Sequence, residues 1–224
     1  MGRRLVMLAL AGAGVAAVAG AVLFVPGEQG SQAAGAVPRT PAPEDPLTSQ
    51  EVARATAIAS AGSRAHMAAG RIELLYVERD DDKDAPVRRR ADAYLYDYGT
   101  DRLIVRTVDL GRGRVVRETV TRGVQPPPST AAETTAAELL LAHRQYGKGV
   151  RDAFAKAGGG RLGSAAELGL RGLIFTPTGE DGPARRCGVH RCLRLFVRLP
   201  DGTWLDTSRI VVDLSAKKIH TLEW

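Results

Sequence analysis

The chain has 224 residues and a formal net charge of +6 at pH 7, with 44% hydrophobic and 25% charged residues. This composition excludes a disordered or fibrous chain and leaves room for one globular domain or two small ones. The basic residues are spread along predicted strands and turns instead of clustering on one helix, so the sequence predicts no nucleic-acid partner.

Residues 1–36 differ from the rest of the chain. Arg3 and Arg4 precede an uncharged apolar run over 5–25, and small residues follow over 31–36. A basic start, an apolar core and A-x-A-like sites predict an export signal, and the paired arginines fit a twin-arginine route. The alternative is an uncleaved membrane anchor, because a run of this length also spans a bilayer. Both interpretations predict an exported protein, either secreted or anchored with its globular part extracellular.

A Pro-rich linker over 37–45 is predicted to be a stiff extended spacer before the fold. Thr48 and Glu51 then fit a capping box, which begins a helix that ends near Gly62. Period-2 alternation with turn residues between the segments predicts an antiparallel meander of strands over about 71–79, 88–98, 102–110 and 114–122.

Residues 125–128 interrupt this pattern, because successive prolines continue neither a central strand nor a helix interior. Thr130 and Glu133 fit a second capping box at the start of a helix, and another helix is predicted over about 149–157. The remaining strands are predicted over about 171–177, 191–199, 204–213 and 217–223.

A short motif occurs twice in the chain. Val-Asp-Leu at 108–110 leads to the β-branched Val115, and Val-Asp-Leu at 212–214 leads to Ile219 after the same interval. We interpret each copy as the hairpin between the last two strands of one of two similar units. The sequence therefore predicts units over 46–124 and 129–224, joined by the Pro-rich 125–128.

Three stretches resemble a known family: "PLTSQEVARATAI" at 46–58, "VDLGRGRVV" at 108–116 and "GVQPP" at 123–127. They are similar to the paired N-terminal domains, N2 and N3, of copper amine oxidases, and the closing "VVDLSAKKI" at 211–219 matches more loosely. The resemblance implies an α+β fold of two tandem cystatin-like units, in which each unit packs one or more helices on a four-stranded antiparallel sheet.

The catalytic parts of that family have no counterpart in this sequence. In the family, a Tyr in an Asn-Tyr-Asp/Glu motif forms topaquinone, and three His, two of them in His-x-His, hold copper. This sequence contains no Asn, and its histidines lie far apart without a His-x-His, at His66, His143, His190 and His220. The sequence therefore predicts no catalytic residues, no cofactor, no metal ligands and no oxidase activity, because fold alone does not carry function.

Two other patterns have simple explanations. Asp80, Asp81, Asp82 and Asp84 form an acidic run without the Gly and Glu of a calcium loop, so we interpret it as a solvated hairpin turn rather than a Ca²⁺ site. The tyrosines at 94, 96 and 98 share one strand face. They are interpreted as packing or cross-strand partners rather than as a surface for ligand stacking.

Cys187 and Cys192 flank a turn that leads into a strongly alternating strand. Two cysteines that face each other across a hairpin outside the cytoplasm are expected to form a disulfide. The alternative is a metal site in which both thiolates act with His190. That arrangement supplies only three ligands, so the disulfide is the prediction.

These observations predict a noncatalytic exported protein that acts as an interaction or accessory module in the cell envelope or medium. Its partner is an envelope or secreted protein that the sequence does not identify, and membrane contact is expected only through residues 5–25 if the signal is not cleaved. The alternative is an accessory or docking subunit for a separately encoded copper/topaquinone amine oxidase.

Overall fold

The computed structural model describes residues 41–82, 88–178 and 182–222. These residues belong to one compact unit. The export signal with Arg3 and Arg4, the apolar run over 5–25 and Asp84 lie outside the described residues. Among the helices of the described part, none is long and apolar enough to cross a membrane.

The first half of the fold is a helix on a four-stranded sheet. Helix α1 covers Ser49–Ser60, and a short helix α2 covers Arg64–Ala68. The antiparallel sheet has the strand order β1-β2-β3-β4. Its strands are β1 (Ile72–Arg79), β2 (Arg90–Asp97), β3 (Arg102–Asp109) and β4 (Arg114–Arg122).

The predicted start of α1 is confirmed. The Thr48 hydroxyl accepts the Glu51 backbone N–H at 3.2 Å, and the Glu51 carboxylate accepts the Thr48 backbone N–H at 2.8 Å. This capping box satisfies donors that the first turn of a helix leaves free. The buried side of α1 carries Ala55 and Ala59, and these pack in one core with Ala91, Ala93 and Leu95 of β2. Small side chains on both surfaces allow the helix to lie close to the sheet.

The second half has two helices and a five-stranded sheet. Helix α3 covers Thr130–Ala142 and helix α4 covers Arg144–Phe154. The antiparallel sheet has the order β5-β6-β8-β9, and β7 pairs with β6 beside this path. Its strands are β5 (Gly169–Ile174), β6 (Cys192–Arg198), β7 (Trp204–Leu205), β8 (Ile210–Asp213) and β9 (Lys218–Thr221).

The second sheet differs from the predicted four strands at 204–213. Both the backbone N–H and the hydroxyl of Ser208 donate to the Asp206 carboxylate, at 3.1 and 2.7 Å. This local turn competes with strand pairing, and it divides the predicted strand into β7 and β8. The fold class, α+β with antiparallel sheets, is confirmed, whereas the division into two tandem cystatin-like units stays a prediction.

The predicted second capping box is wrong. Ser129, not Thr130, caps α3, and its hydroxyl accepts the Ala132 backbone N–H at 2.9 Å. The Glu133 carboxylate accepts the backbone N–H of Gly172 at 2.6 Å and so ties α3 to β5. Both Ser and Thr are good caps, and sequence alone does not distinguish between adjacent candidates.

Helix α4 begins earlier than predicted. His143 precedes it, and the Nδ1 atom of His143 accepts the Tyr146 backbone N–H at 3.4 Å. His143 ends α3 and caps α4, so the chain turns between the two helices within one residue. The core of this half contains one side of α3 and the alternating residues of β6, namely Ala132, Ala136, Ala137, Leu140, Leu193, Leu195 and Val197.

The tyrosines and the first aspartate of the acidic run are used structurally. Tyr76 and Tyr94 are partners in the β1–β2 register and stack with ring centroids 4.4 Å apart, which confirms cross-strand pairing. Tyr96 is buried, and burial raises its pKa to about 12. The Asp80 carboxylate is 4% exposed and lies 3.8 Å from both Arg90 and Arg117, so it is an ion-pair partner within the sheet.

The pKa of the Glu51 carboxyl determines part of how the stability of the fold depends on pH. Hydrogen bonding from Arg89 lowers the pKa of Glu51 from 4.5 to about 2. Because the pKa is lower in the folded state, this contribution to the free energy of unfolding is present at pH 7. It is lost as pH falls from about 4.5 through about 2.

We expect Glu51→Gln, which preserves the cap, to lower stability at pH 7 and to flatten the loss of stability between pH 5 and pH 2. Urea denaturation at several pH values measures this difference. Glu138→Gln, at an exposed helical position, is the matched control. If the free energy of unfolding of Glu51→Gln depended on pH as steeply as that of the parent, Arg89 would not lower the pKa of the Glu51 carboxyl.

Candidate functional site

The repeated Val-Asp-Leu motif forms the same turn twice. Asp109 ends β3 and Asp213 ends β8, and each carboxylate accepts a backbone N–H three residues later at 2.8 Å. The fourth residue after the aspartate has a positive φ in both turns, 66° at Gly113 and 53° at Lys217. An Asp side chain that accepts from the chain ahead of it is a standard way to close a turn. The motif therefore joins β3 to β4 and β8 to β9, as the sequence predicted.

An arginine directly precedes the second strand of each sheet and holds a Pro-rich segment. We call these two contacts the arginine clamps. Arg191 is fully buried and donates to the carbonyl oxygens of Pro126 and Pro127, at 3.0 and 3.1 Å. Arg89 donates in the same way to the carbonyl oxygens of Ala42, Pro43, Asp45 and Pro46. Residues 42–45, at the end of the predicted extended linker, therefore fold around Arg89 together with Pro46.

Each clamp is joined to its Val-Asp-Leu turn by the backbone. The Leu110 N–H donates to the Arg89 carbonyl at 3.0 Å, and the Leu214 N–H donates to the Arg191 carbonyl at 2.9 Å. Both leucines are 4% exposed. The Pro-rich segment, the strand start and the hairpin turn of each half are thus held together by one arginine.

Two histidines that are far apart in sequence meet at the second turn. His190 Nδ1 lies 2.8 Å from Asp213 Oδ2, and His220 Nε2 lies 3.5 Å from the same oxygen. Asp213 is 1% exposed, and both imidazoles are largely buried. We call His190, Asp213 and His220 the His–Asp cluster. The fold thus brings together two histidines that lie 30 residues apart in the sequence, whereas His66 and His143 lie on or beside helices.

A signal for half of this cluster is present in the sequence. The β8–β9 register pairs Asp213 with Lys218, so His220 is the diagonal neighbour of Asp213 on the same sheet face. A hairpin inferred from the repeated motif therefore places the aspartate beside the imidazole. No comparable signal exists for His190, because the segment before β6 has no strand register.

The cluster also contacts the first half of the fold. His190 Nε2 lies 3.9 Å from Asp101 Oδ2, and the Ser215 hydroxyl donates to Asp101 Oδ1 at 2.5 Å. Asp101 lies in the turn between β2 and β3. A serine hydrolase requires the hydroxyl to donate to the imidazole, whereas here the hydroxyl of Ser215 donates to a carboxylate. This arrangement is suited to holding charge or a cation rather than to activating a nucleophile.

The predicted disulfide is confirmed. Cys187 and Cys192 are bonded with Cα atoms 5.4 Å apart, and both residues are buried. Cys187 lies in the helical segment Gly182–Gly188, and Cys192 is the first residue of β6. The bond lies beside the His–Asp cluster, since Cys187 Sγ, a carboxylate oxygen of Asp213 and a ring nitrogen of His220 all lie within 4.8 Å of one another.

Strand β4 forms a second candidate site, on the surface of the first sheet. Within the described part of the chain it pairs with β3 only, and all of its residues are exposed. Its apolar side chains include Val115, Val116 and Val120, with Val120 46% exposed. A long exposed edge strand with free backbone groups is a template for pairing with another chain.

The two Val-Asp-Leu turns differ in electrostatics. Around Asp109 lie two guanidinium groups, those of Arg88 at 3.7 Å and Arg112 at 3.8 Å. The backbone N–H of Arg112 and these charges hold the pKa of Asp109 below its usual value. At Asp213 the neighbours are the imidazoles of His190 and His220, which are common metal ligands.

No protein-family model and no curated protein matches this sequence. The resemblance to the N2 and N3 domains of copper amine oxidases therefore rests on the quoted motifs.

The Arg191 clamp predicts a large stability effect. Arg191→Met removes charge-assisted hydrogen bonds to buried carbonyl groups, and we expect the free energy of unfolding to fall by about 3 kcal/mol. Chemical denaturation measures this change. Arg185→Met, at an exposed position of the same segment, is the control and is expected to stay within about 0.5 kcal/mol of the parent. Equal stabilities for the two variants would contradict the clamp.

The disulfide predicts a smaller effect. Replacing Cys187 and Cys192 together by Ser opens a short loop, which is expected to lower stability by about 2 kcal/mol without changing the circular dichroism spectrum. Intact mass of the unreduced protein is the direct check, because the bonded chain is lighter by two hydrogen atoms. Free thiols in protein recovered from the medium would contradict the disulfide in the exported form.

Proposed function

We propose that this protein is a noncatalytic exported interaction module in the cell envelope or medium. In this proposal it consists of two tandem cystatin-like units, and it docks an extended acidic segment of a partner protein along β4. The exposed edge of β4 is the observation that carries the proposal.

The equivalence of the two halves supports the tandem-unit part. In both sheets the strand sequence is the same once β7 is set aside, β1-β2-β3-β4 and β5-β6-β8-β9. Each half also has a polar N-cap, Thr48 or Ser129, that follows a Pro-rich segment held by Arg89 or Arg191. Such agreement in topology, clamp and turn is expected of a duplicated unit.

The geometry of β4 supports docking by strand addition. A partner segment that pairs with an exposed edge gains backbone hydrogen bonds, and side-chain pockets or charges then set its specificity. In the first half, the strand offers nine exposed residues over Arg114–Arg122. This length is above that of an average strand, so a partner has room for a full ladder.

The charges of β4 select an acidic partner. Arg114 and Arg122 form no ion pair within the described part of the chain, while Glu118 is neutralised by Arg106 at 2.7 Å. The Arg117 side chain is 50% exposed and forms ion pairs with both Asp80 and Asp82. A second copy of β4 brought alongside would place arginines near arginines, which disfavours self-pairing.

A fluorescent peptide of alternating Glu and Thr residues tests the docking. We expect fluorescence anisotropy to show that the peptide binds the full chain at low salt. The affinity is expected to fall as the salt concentration rises, because salt screens exposed charges. The double variant Arg114→Ser, Arg122→Ser is expected to weaken binding on the order of tenfold, because two exposed charge pairs together contribute about 1–2 kcal/mol.

Two matched controls make the result specific. The double variant Arg161→Ser, Arg185→Ser changes net charge equally at exposed positions away from β4 and is expected to bind as the parent does. A peptide with Lys in place of Glu is expected not to bind. Equal weakening by both double variants, or a chain that self-associates through β4 and binds no peptide, would refute the docking proposal.

A further inference from the structure

We propose that reduction of the Cys187–Cys192 disulfide creates a binding site for a thiophilic divalent cation, with Zn²⁺ as the expected ion. The ligands are the sulfur atoms of Cys187 and Cys192, the Asp213 carboxylate and the Nε2 atom of His220. This site is independent of β4 and of the proposed docking function.

The geometry supplies most of the site before any rearrangement. Sulfur of Cys187, a carboxylate oxygen of Asp213 and a ring nitrogen of His220 lie within 4.8 Å of one another. Ligand atoms of a tetrahedral zinc site lie about 3.3–3.8 Å apart, given bond lengths of about 2.0–2.3 Å. The three ligand atoms therefore need to approach one another by about 1–1.5 Å at most to reach this geometry. The disulfide places the sulfur of Cys192 next to that of Cys187. Once the bond is reduced, the Cys192 sulfur is therefore close enough to act as the fourth ligand.

An unpartnered nitrogen points to the same place. His220 Nε2 is buried and has no hydrogen-bond partner within the described part of the chain. Its nearest carboxylate oxygen is Asp213 Oδ2 at 3.5 Å, which is too long for a good hydrogen bond. A buried polar atom without a partner costs stability, and coordination to a cation would satisfy it.

The side chains around Asp213 differ from those around the equivalent Asp109, although the two turns have the same backbone contacts. Arg88 and His190 each precede a clamp arginine, so they occupy equivalent positions. At the first turn Arg88 and Arg112 surround Asp109 with permanent charge. The second turn keeps the aspartate but has His190 and His220 near it, with two cysteines alongside. These substitutions replace groups that cannot bind metals with groups that can.

His190 is a positioning residue in this proposal. Its Nδ1–H donates to Asp213 Oδ2 at 2.8 Å, and the Ala216 backbone N–H holds the other carboxylate oxygen. Such outer contacts orient a carboxylate ligand and typically change metal affinity by 10- to 100-fold. The site suggested by the sequence alone used His190 as a ligand; the structure assigns that role to His220 and adds Asp213.

The redox step is a two-electron exchange with a dithiol reductant. The reductant transfers two electrons and two protons, its own sulfurs form a disulfide, and Cys187 and Cys192 become thiols. Binding of Zn²⁺ then releases both thiol protons to solvent, because the sulfur atoms coordinate as thiolates. The oxidised protein holds its sulfurs in the disulfide and is expected to bind the cation weakly.

Cobalt spectroscopy tests the proposal on the full chain. After anaerobic reduction with a phosphine, we expect one equivalent of Co²⁺ to produce a thiolate-to-cobalt charge-transfer band and tetrahedral d–d bands. Addition of Zn²⁺ is expected to abolish both signals. We expect His220→Ala to lower Co²⁺ affinity at least about 100-fold and His190→Ala to lower it about tenfold.

His66→Ala, at an exposed helical position, is the matched control and is expected to bind Co²⁺ as the parent does. The double Ser variant of the cysteines is expected to show no charge-transfer band while retaining the parent circular dichroism spectrum. A folded, reduced chain without a cobalt band overturns the proposal. A band that His220→Ala leaves unchanged also overturns it, as does a chain that unfolds on reduction and does not refold with Co²⁺.

Discussion

A buried arginine that binds the carbonyl oxygens of a Pro-rich segment is the contact on which the second half of this fold depends. Prolines carry no N–H, so a segment rich in them cannot enter a strand ladder, and its carbonyls need donors from elsewhere. The guanidinium of Arg191 offers several donors in one plane and satisfies Pro126, Pro127 and the side chain of Gln125 together. It also lies 5.0 Å from the Tyr96 ring centre, which partly compensates for burying its charge.

The clamp determines where the His–Asp cluster lies. His190 and Cys192 are the immediate neighbours of Arg191, so fixing this arginine against the 125–128 segment fixes an imidazole on one side and a sulfur on the other. The Arg191 carbonyl accepts the Leu214 N–H, which brings Asp213 to the same point. Because the segment also leads to the cap of α3 at Ser129, one contact links the start of a helix to the site.

The parts of the fold that the sequence predicted are local. Alternation predicted the strands apart from the division at 206–209, a capping box predicted α1, and the repeated aspartate predicted two hairpins. Each of these features depends on residues within one turn or one strand pair. The two clamps join Arg89 to residues 42–46 and Arg191 to residues 125–127, so they depend on contacts between distant parts of the sequence. The cap at Ser129 was missed since its neighbour Thr130 suits that role equally well. The sequence also does not predict that His190 lies near Asp213, because this contact too joins distant parts of the sequence.

Comparison of the two halves distinguishes what the architecture requires from what is specific to one copy. Both halves contain the aspartate, the leucine and the clamp arginine, and in both the aspartate closes its turn through a backbone N–H at 2.8 Å. The turn therefore needs the carboxylate but not any particular counter-charge. Arg88 and Arg112 supply that charge at Asp109, whereas the imidazoles of His190 and His220 lie against Asp213. The positions around the aspartate that the turn leaves free are thus the ones at which the second half carries imidazole side chains.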